Sequence, residues 1–410
     1  MMCKKCLLTA LAIVLLCACN GKKSFQMWEN ASVVATKTLL NGEDLITLDL
    51  SLLKDTIVFP ISHFVEEMEF VKLDDADDAF VYLTGVELSD NYILIKSGKS
   101  HAITTFEEYQ AAVPIPCKLF DKQGKFLTEI GAIGQGPGEY TTIYSMQIDE
   151  KQQRIYLMPW QSDKILVYDL QGNTLDPIRM PYRVPKAVFK VENDKVAVAL
   201  VAFNDINPSV AWVQNIKGDV LHEIPAGHLG VVPDFSNEVD SRRNTAAMDV
   251  SFWYYPSRID SLYHLDIQTG KLIPRFTPNF NQETLELHSY EEWPDYFVGN
   301  TSTVFTVSDG NNQWEEGKKP AFYIVDKNTL KGAFFRIEND YLGGDPINNP
   351  LYIFNKGYYA QNMEPGQLLE WIEKILKSGK LDEKMRNKLT ALKNTIDEND
   401  NNYIVYAKMK

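Results

Sequence analysis

Cysteine is almost absent from the body of this chain. Of five cysteines in 410 residues, Cys3, Cys6, Cys17 and Cys19 sit in the first nineteen positions, and only Cys117 lies beyond them. One thiol excludes an intramolecular disulfide or a Cys-based metal site there. With no histidine near it in sequence, Cys117 is expected to be a small buried side chain, not a nucleophile. Histidine is scarce as well: the six, at 63, 101, 222, 228, 264 and 288, show no metal-ligand spacing. Beyond the first nineteen residues no His-Glu-x-x-His, Gly-x-Ser-x-Gly, Cys-x-x-Cys, EF-hand loop or complete Gly-x-x-x-x-Gly-Lys-Ser/Thr phosphate loop occurs. There is no Lys/Arg block, and 41 basic against 55 acidic residues give a net charge of −14. Such a chain repels a phosphate backbone, so nucleic acid is not an expected partner. What is present is 45% hydrophobic and 11% aromatic residues, enough for a large core.

The first twenty residues carry an address. Lys4 and Lys5 precede an apolar run at 7–16 (LLTALAIVLL), too short to span a bilayer but suited to a signal peptide. Leu16-Cys17-Ala18-Cys19 comes next and resembles a bacterial lipobox, with Ala18 at the cleavage position and Cys19 lipidated. Residues 1–18 are therefore expected to be a lipoprotein signal peptide, 19–44 a lipid tether and linker, and 45–410 a single domain. Loss of Lys4 and Lys5 takes the charge to −16. A plain signal peptide with incidental cysteines is the alternative.

One phrase recurs through the body: apolar residues, Asp or Asn, a short polar turn usually ending in Gly, then another apolar run. It reads LFDKQGKFLTEI from Leu119, VYDLQGNTLDPI from Val167, VQNIKGDVLHEI from Val213, HLDIQTGKLIPRF from His264 and, without the Gly, IVDKNTLKGAFFRI from Ile324. The Asp/Asn positions 121, 169, 215, 266 and 326 are spaced by about 50 residues. Each phrase reads as a β-hairpin, and a second pair of strands precedes it. The clearest unit has strands at 144–149, 154–158, 164–169 and 174–179.

Four antiparallel strands per repeat predict an all-β fold, a β-propeller whose blades bury both faces by stacking around a ring. The length divided by the repeat allows six or seven blades, and five visible hairpins plus one blade joining the chain ends make six the expected number. The last is expected to combine 351–355, 358–362 and 403–408 with an N-terminal strand near 45–50. Paired β-sandwiches are the alternative, but they do not predict a hairpin at near-constant spacing. Residues 364–399 break the pattern. Leu368, Leu369, Ile372, Ile375 and Leu376, then Leu381, Met385, Leu389, Leu392 and Ile396, line one face each of two helices inserted in the last blade.

At 130–140 the chain reads IGAIGQGPGEY, and this phrase resembles the six-bladed, NHL-like β-propeller lipoproteins of Bacteroides-type bacteria. MEFVKLDD at 68–75, like the strand leading into their first blade, and the closing NNYIVYAKMK extend the resemblance over nearly the whole chain. It implies an outer-membrane lipoprotein. In such lipoproteins acidic residues after the Cys favour surface display, and Asn-Gly-Lys-Lys-Ser has none, which leans towards the periplasmic face. The spaced glycines 134, 136 and 138 are not a dinucleotide fingerprint, because Pro137 interrupts them and no helix follows. Their expected role is geometric, with Glu139 and Tyr140 able to face the central funnel.

No catalytic residue and no cofactor is assigned. Asp74, Asp75, Asp77 and Asp78 are dense enough for a structural calcium ion, but they lack the alternation of a calcium loop. The Glu pairs at 66–67, 107–108, 291–292 and 315–316 are poor evidence of a catalytic dyad, since neighbours on a strand face opposite ways. Candidate ligand-binding residues are the loop aromatics Trp160, Trp253, Tyr254 and Trp293, with Arg242 and Arg243 for a carboxylate or phosphate and Glu139 and Tyr140 from the glycine phrase. The same aromatics can instead seal blade interfaces. Two functions remain: a binding or scaffold module for a glycan, peptide or envelope protein over the central funnel, or a glycoside hydrolase or lyase with funnel carboxylates or a metal. The lack of any catalytic motif favours the first.

Overall fold

The recurring phrase is a hairpin fastened by its own Asp or Asn. In the computed structural model, Asp121 accepts the backbone N–H groups of Gln123 and Lys125, both at 2.9 Å. Asp169 does the same for Gln171 and Asn173, and Asn215 for Lys217 and Asp219. Asp266 and Asp326 close the other two turns in the same way. A short side-chain acceptor that mimics the turn's own carbonyl is why Asp and Asn recur there. The turn then needs a left-handed residue, and Gly124 and Gly172 supply it at φ +88° and +83°. The phrase without Gly places Leu330 at φ +58° instead.

The structure describes residues 27–410 except 83, 97, 99–113, 281–286, 303, 309–312 and 318–319. The signal peptide, Cys19, His101 and the 107–108 pair lie outside the described residues. The sheets succeed one another along the chain as a β-propeller-like arrangement. Among the described residues, four are four-stranded and antiparallel. The first holds Val86–Leu88, Tyr92–Ile95, Cys117–Asp121 and Phe126–Ile130, and the second Ile143–Asp149, Arg154–Pro159, Ser162–Asp169 and Thr174–Val184. The third runs Ala187–Glu192, Lys195–Leu200, Ser209–Asn215 and Val220–Pro225. The chain ends join in another, where Phe354–Asn355, Tyr358–Met363 and Tyr403–Lys408 are completed by Glu69–Lys72.

Alternation along each strand builds the stack. In Lys195–Leu200, Val196, Val198 and Leu200 pack with Tyr156, Ile165 and Trp212 on one side. Ala197 and Ala199 pack with Val250, Tyr263 and Leu265 on the other. A strand apolar on both faces is stable only between two other sheets.

Six equal four-stranded blades are not what the chain builds. The sheet of Glu238–Asp240, Asp249–Trp253, Leu262–Asp266 and Lys271–Asn279 has six strands, because Glu43–Asp49 pairs parallel with Lys271–Asn279 and Ala35–Leu40 pairs outside it. The sheet of Leu287–Glu292, Tyr296–Ser302, Ala321–Asp326 and Lys331–Asn339 has seven, taking in Ser32–Val33, Thr56–Pro60 and Asp345–Ile347. The strand near 45–50 thus does not close the last blade. The 68–75 segment does so, rather than leading into the first. Nor is 28–44 a free tether: Trp28 is buried against Phe59 and Tyr296, and two strands come after it.

Pro365–Ser378 (α1) and Glu383–Lys393 (α2) form the helical insertion, before Tyr403–Lys408. Gly379 at φ +72° ends α1, and Asp382 caps α2 by accepting Met385 N–H at 2.7 Å. Leu368, Ile372, Ile375, Met385 and Leu389 are buried in one core with Trp293, Phe354 and Tyr403. The insertion packs on the sheets. Among the described residues no helix is long and apolar enough to cross a membrane.

Candidate functional site

The innermost strand of each large sheet faces a shared axis, and near one end of that axis lies a cavity of about 470 Å³. Its wall takes Glu87 from Val86–Leu88, Tyr144 and Met146 from Ile143–Asp149, and Phe189 from Ala187–Glu192. It also takes Glu238 and Asp240 with Phe252 and Trp253, His288 from Leu287–Glu292, and Tyr352 and Lys356 beside Phe354–Asn355. A volume of this size suits a small molecule or the end of a longer one.

Arg242 and Arg243 enter from the turn between Glu238–Asp240 and Asp249–Trp253. Asp249 shapes that turn, accepting the backbone N–H of Arg243 at 2.6 Å and of Arg242 at 3.1 Å. Arg242 pairs with Asp240 at 2.6 Å, lies 3.5 Å from Glu291 and covers the Tyr352 ring at 4.6 Å. Burial opposes its charge, but Asp240 and Glu291 outweigh burial and hold it above its ordinary range. Arg243 donates to Gln147 Oε1 at 2.7 Å and to the Met146 carbonyl at 3.2 Å. Its burial pulls the guanidinium pKa down.

Three further groups near this axis are perturbed. Burial raises the Glu291 carboxyl to about 7 against the pull of Arg242. Burial, with Arg243 beside it, lowers Lys356 to about 7, while its partner Glu87 opposes the shift. Lys356 also donates to the Met146 carbonyl at 2.6 Å. Lys96, donating to the Tyr144 carbonyl at 3.0 Å, is likewise lowered by burial.

Of the residues singled out in the sequence, Arg242, Arg243 and Trp253 line this cavity. Tyr254 faces the other way, buried beneath Arg258, whose guanidinium lies 3.5 Å from its ring centre. Trp293 is fully buried and packs on Phe64 and Phe354, sealing an interface. Trp160 is exposed in the turn after Arg154–Pro159 and meets Phe235 edge-on. Tyr140 is spent on the backbone: its hydroxyl donates to the Ile130 carbonyl at 2.6 Å and accepts Cys117 N–H at 2.7 Å. Glu139 accepts Gly136 N–H at 2.8 Å, and the Gly138 carbonyl accepts the Tyr168 hydroxyl at 2.8 Å, so the glycine phrase is a strap between two sheets. Cys117 is buried.

The Glu pair at 291–292 behaves as strand geometry requires. Glu291 faces Arg242, Trp293 and Tyr352, while Glu292 bonds His264 and Lys327. The acidic run is occupied too: Asp74 accepts from Ala76 and Phe126, and Asp75 from Asn401. Among the described residues no three His, Cys, Asp or Glu side chains are grouped as a metal site. Sequence reasoning passed over Glu87, Gln147, Glu238, Asp240 and Lys356, which come from four distant stretches: the strands Val86–Leu88, Ile143–Asp149 and Glu238–Asp240, and the turn after Phe354–Asn355. The one available signal was the i, i+2 spacing of Glu238 and Asp240, which places both on one face.

Among solved structures, one likeness supports the fold. A crystal structure of a Bacteroides fragilis protein described as exported shares 15% identity and a TM-score of 0.52, over 87% of this chain and 99% of that one. A member of the DUF4221 family from Bacteroides vulgatus is 9% identical over 84% and 97% of the two chains, with a TM-score of 0.42. No curated protein compared with the chain matches it. Residues 45–408 match the model of a domain of unknown function, DUF4934, and the chain belongs to that family.

Proposed function

We propose that the protein is a non-catalytic binding module of the bacterial cell envelope, anchored through Cys19, that takes its ligand in the central cavity. The observation that carries this reading is the convergence of the innermost strands on one 470 Å³ cavity, where Arg242 and Arg243 stand beside Phe189, Phe252 and Trp253. Cationic forks beside aromatic walls suit an oxygen-rich ligand with a flat or apolar body, as in an acidic glycan or a peptide. The lipobox-like leader and the likeness to an exported Bacteroides protein support the envelope placement.

A propeller enzyme is the second reading, and the cavity carboxylates Glu238 and Asp240 favour it. Both, however, are engaged. Glu238 pairs with Lys186 and accepts from Tyr144 at 2.7 Å, and Asp240 holds Arg242. A general acid or base needs a lone pair or proton free to face substrate.

The test is calorimetric titration of the chain from residue 20 with acidic oligosaccharides and peptides, beside Arg242→Ala. Binding lost in the variant, with the ligand recovered intact by mass spectrometry, is the expected result. Recovery of a cleaved ligand overturns the non-catalytic reading. A mature-protein mass without an acyl chain on Cys19 overturns the anchor.

A further inference from the structure

The central channel does not run through the molecule. A second depression opens at the opposite end of the innermost strands, among Asp149, Glu150, Glu192 and Lys408, and Gln147 and Lys356 belong to its wall. Lys356 also belongs to the wall of the 470 Å³ cavity. Between the two mouths, Arg243 bonds Gln147 and the Met146 carbonyl, and Lys356 bonds that carbonyl and Glu87. These groups come from separate sheets and hold one another across the axis, forming a polar septum. The cavity above it is a blind socket. A polymer cannot thread through it and must enter by an end.

The floor offers a donor without an acceptor: Arg243 Nε is buried and unpartnered, although the rest of its guanidinium is bonded. A buried guanidinium N–H left open favours an oxyanion over a neutral hydroxyl, because a charge-assisted bond is about twice as strong. The rim indicates the chemistry attached to that oxyanion. Trp160, Ile206, Val232, Phe235, Tyr255 and Ile259 are all exposed, Val232 at 75% and Ile206 at 61%. They sit in loops on the end of the sheets where the cavity opens. Trp160 N–H bonds the Thr142 carbonyl just before Tyr144, and Lys186 ties the Phe235 carbonyl to the cavity residue Glu238. A sugar-binding rim needs flat rings, whereas aliphatic Ile206, Val232 and Ile259 suit apolar side chains.

We propose that the cavity is a socket for the free carboxyl terminus of a peptide. Its carboxylate meets Arg243 on the septum, and the apolar side chains before it lie on the Trp160–Phe235–Val232 rim. This rests on the central cavity being the binding site and names the ligand class for it.

The test uses fluorescence anisotropy with a pool of labelled hexapeptides ending in Leu, Ile, Val or Phe, made as free acids or as carboxamides. The free acids should bind about ten- to a hundredfold more tightly than the amides, the yield of one or two charge-assisted bonds. Arg243→Lys, which keeps the charge but loses the planar fork, should erase most of that difference. Phe235→Ser, on the exposed rim, should weaken acids and amides alike, with unchanged unfolding midpoints showing that both variants fold. Equal binding of acid and amide overturns the socket. Binding of an acidic oligosaccharide but of no peptide, abolished by Arg242→Ala, also overturns it while leaving the central cavity as the site. Failure of every class to bind overturns both.

Discussion

Glu291 gives the site a pH signature that is measurable before any ligand is known. Its side chain is 2% exposed. It accepts Tyr352 N–H at 2.7 Å and Trp293 Nε1–H at 3.3 Å, with Arg242 at 3.5 Å. Burial raises its carboxyl from 4.5 to about 7, with Arg242 opposing. Between these values the folded protein keeps a proton that the unfolded chain has released. Stability from this group therefore falls as pH rises through the window, by roughly 3 kcal/mol in all. From about pH 5 to about pH 8 the loss is about 2.5 kcal/mol. Glu291→Gln removes the titration and keeps an acceptor for Tyr352. Urea denaturation of both proteins at the two pH values gives the quantity needed, the change in their stability difference. The parent should lose about 2.5 kcal/mol more than the variant on going to the higher pH. If the two move together to within about 1 kcal/mol, Glu291 ionises normally and the burial argument is refuted.

Asp169→Ala removes the acceptor for two backbone N–H groups in an exposed hairpin turn and should cost about 1–2 kcal/mol in thermal unfolding, with Asp169→Asn largely neutral. Trp293→Ala should cost about 3–5 kcal/mol, since that ring is fully buried, whereas exposed Trp160→Ala should stay below about 1 kcal/mol. Gly138 holds φ +71°, and an added Cβ would lie 2.7 Å from Thr174 side-chain atoms. Gly138→Ala should therefore cost about 2 kcal/mol or more, and the double variant with Thr174→Ala should recover the steric part but not the backbone part.

What the sequence shows most clearly is the outer half of each blade. The hairpin phrase is legible because its cause is local: one side chain satisfies two N–H groups within four residues, and a left-handed residue comes next. The two helices are legible for the same reason, their caps and apolar faces being set by near neighbours. Glu43–Asp49 and Thr56–Pro60 are another matter. Each adds parallel to a strand more than two hundred residues away, at an edge that any β-prone segment fits. Nothing local in LITLDL or TIVFP selects the sheet it joins, so the strand near 45–50 falls in a different blade from the expected one.

The site obeys the same rule at closer range. Arg242 and Arg243, candidates for holding a carboxylate or phosphate, both line the cavity. Glu87, Gln147 and Lys356 did not stand out, since Glu87 and Gln147 are single polar residues between apolar neighbours on their strands and Lys356 lies in a short polar turn. Their meaning comes only from convergence, when the innermost strands bring polar side chains to one axis. A buried Lys356–Glu87 pair is costly to desolvate and weak evidence of stability. An apolar plug of the same volume would close the channel at least as firmly. A septum built instead from Arg243, Gln147, Lys356 and Glu87, in which one buried guanidinium N–H has no partner, has the form of a recognition floor rather than a stopper.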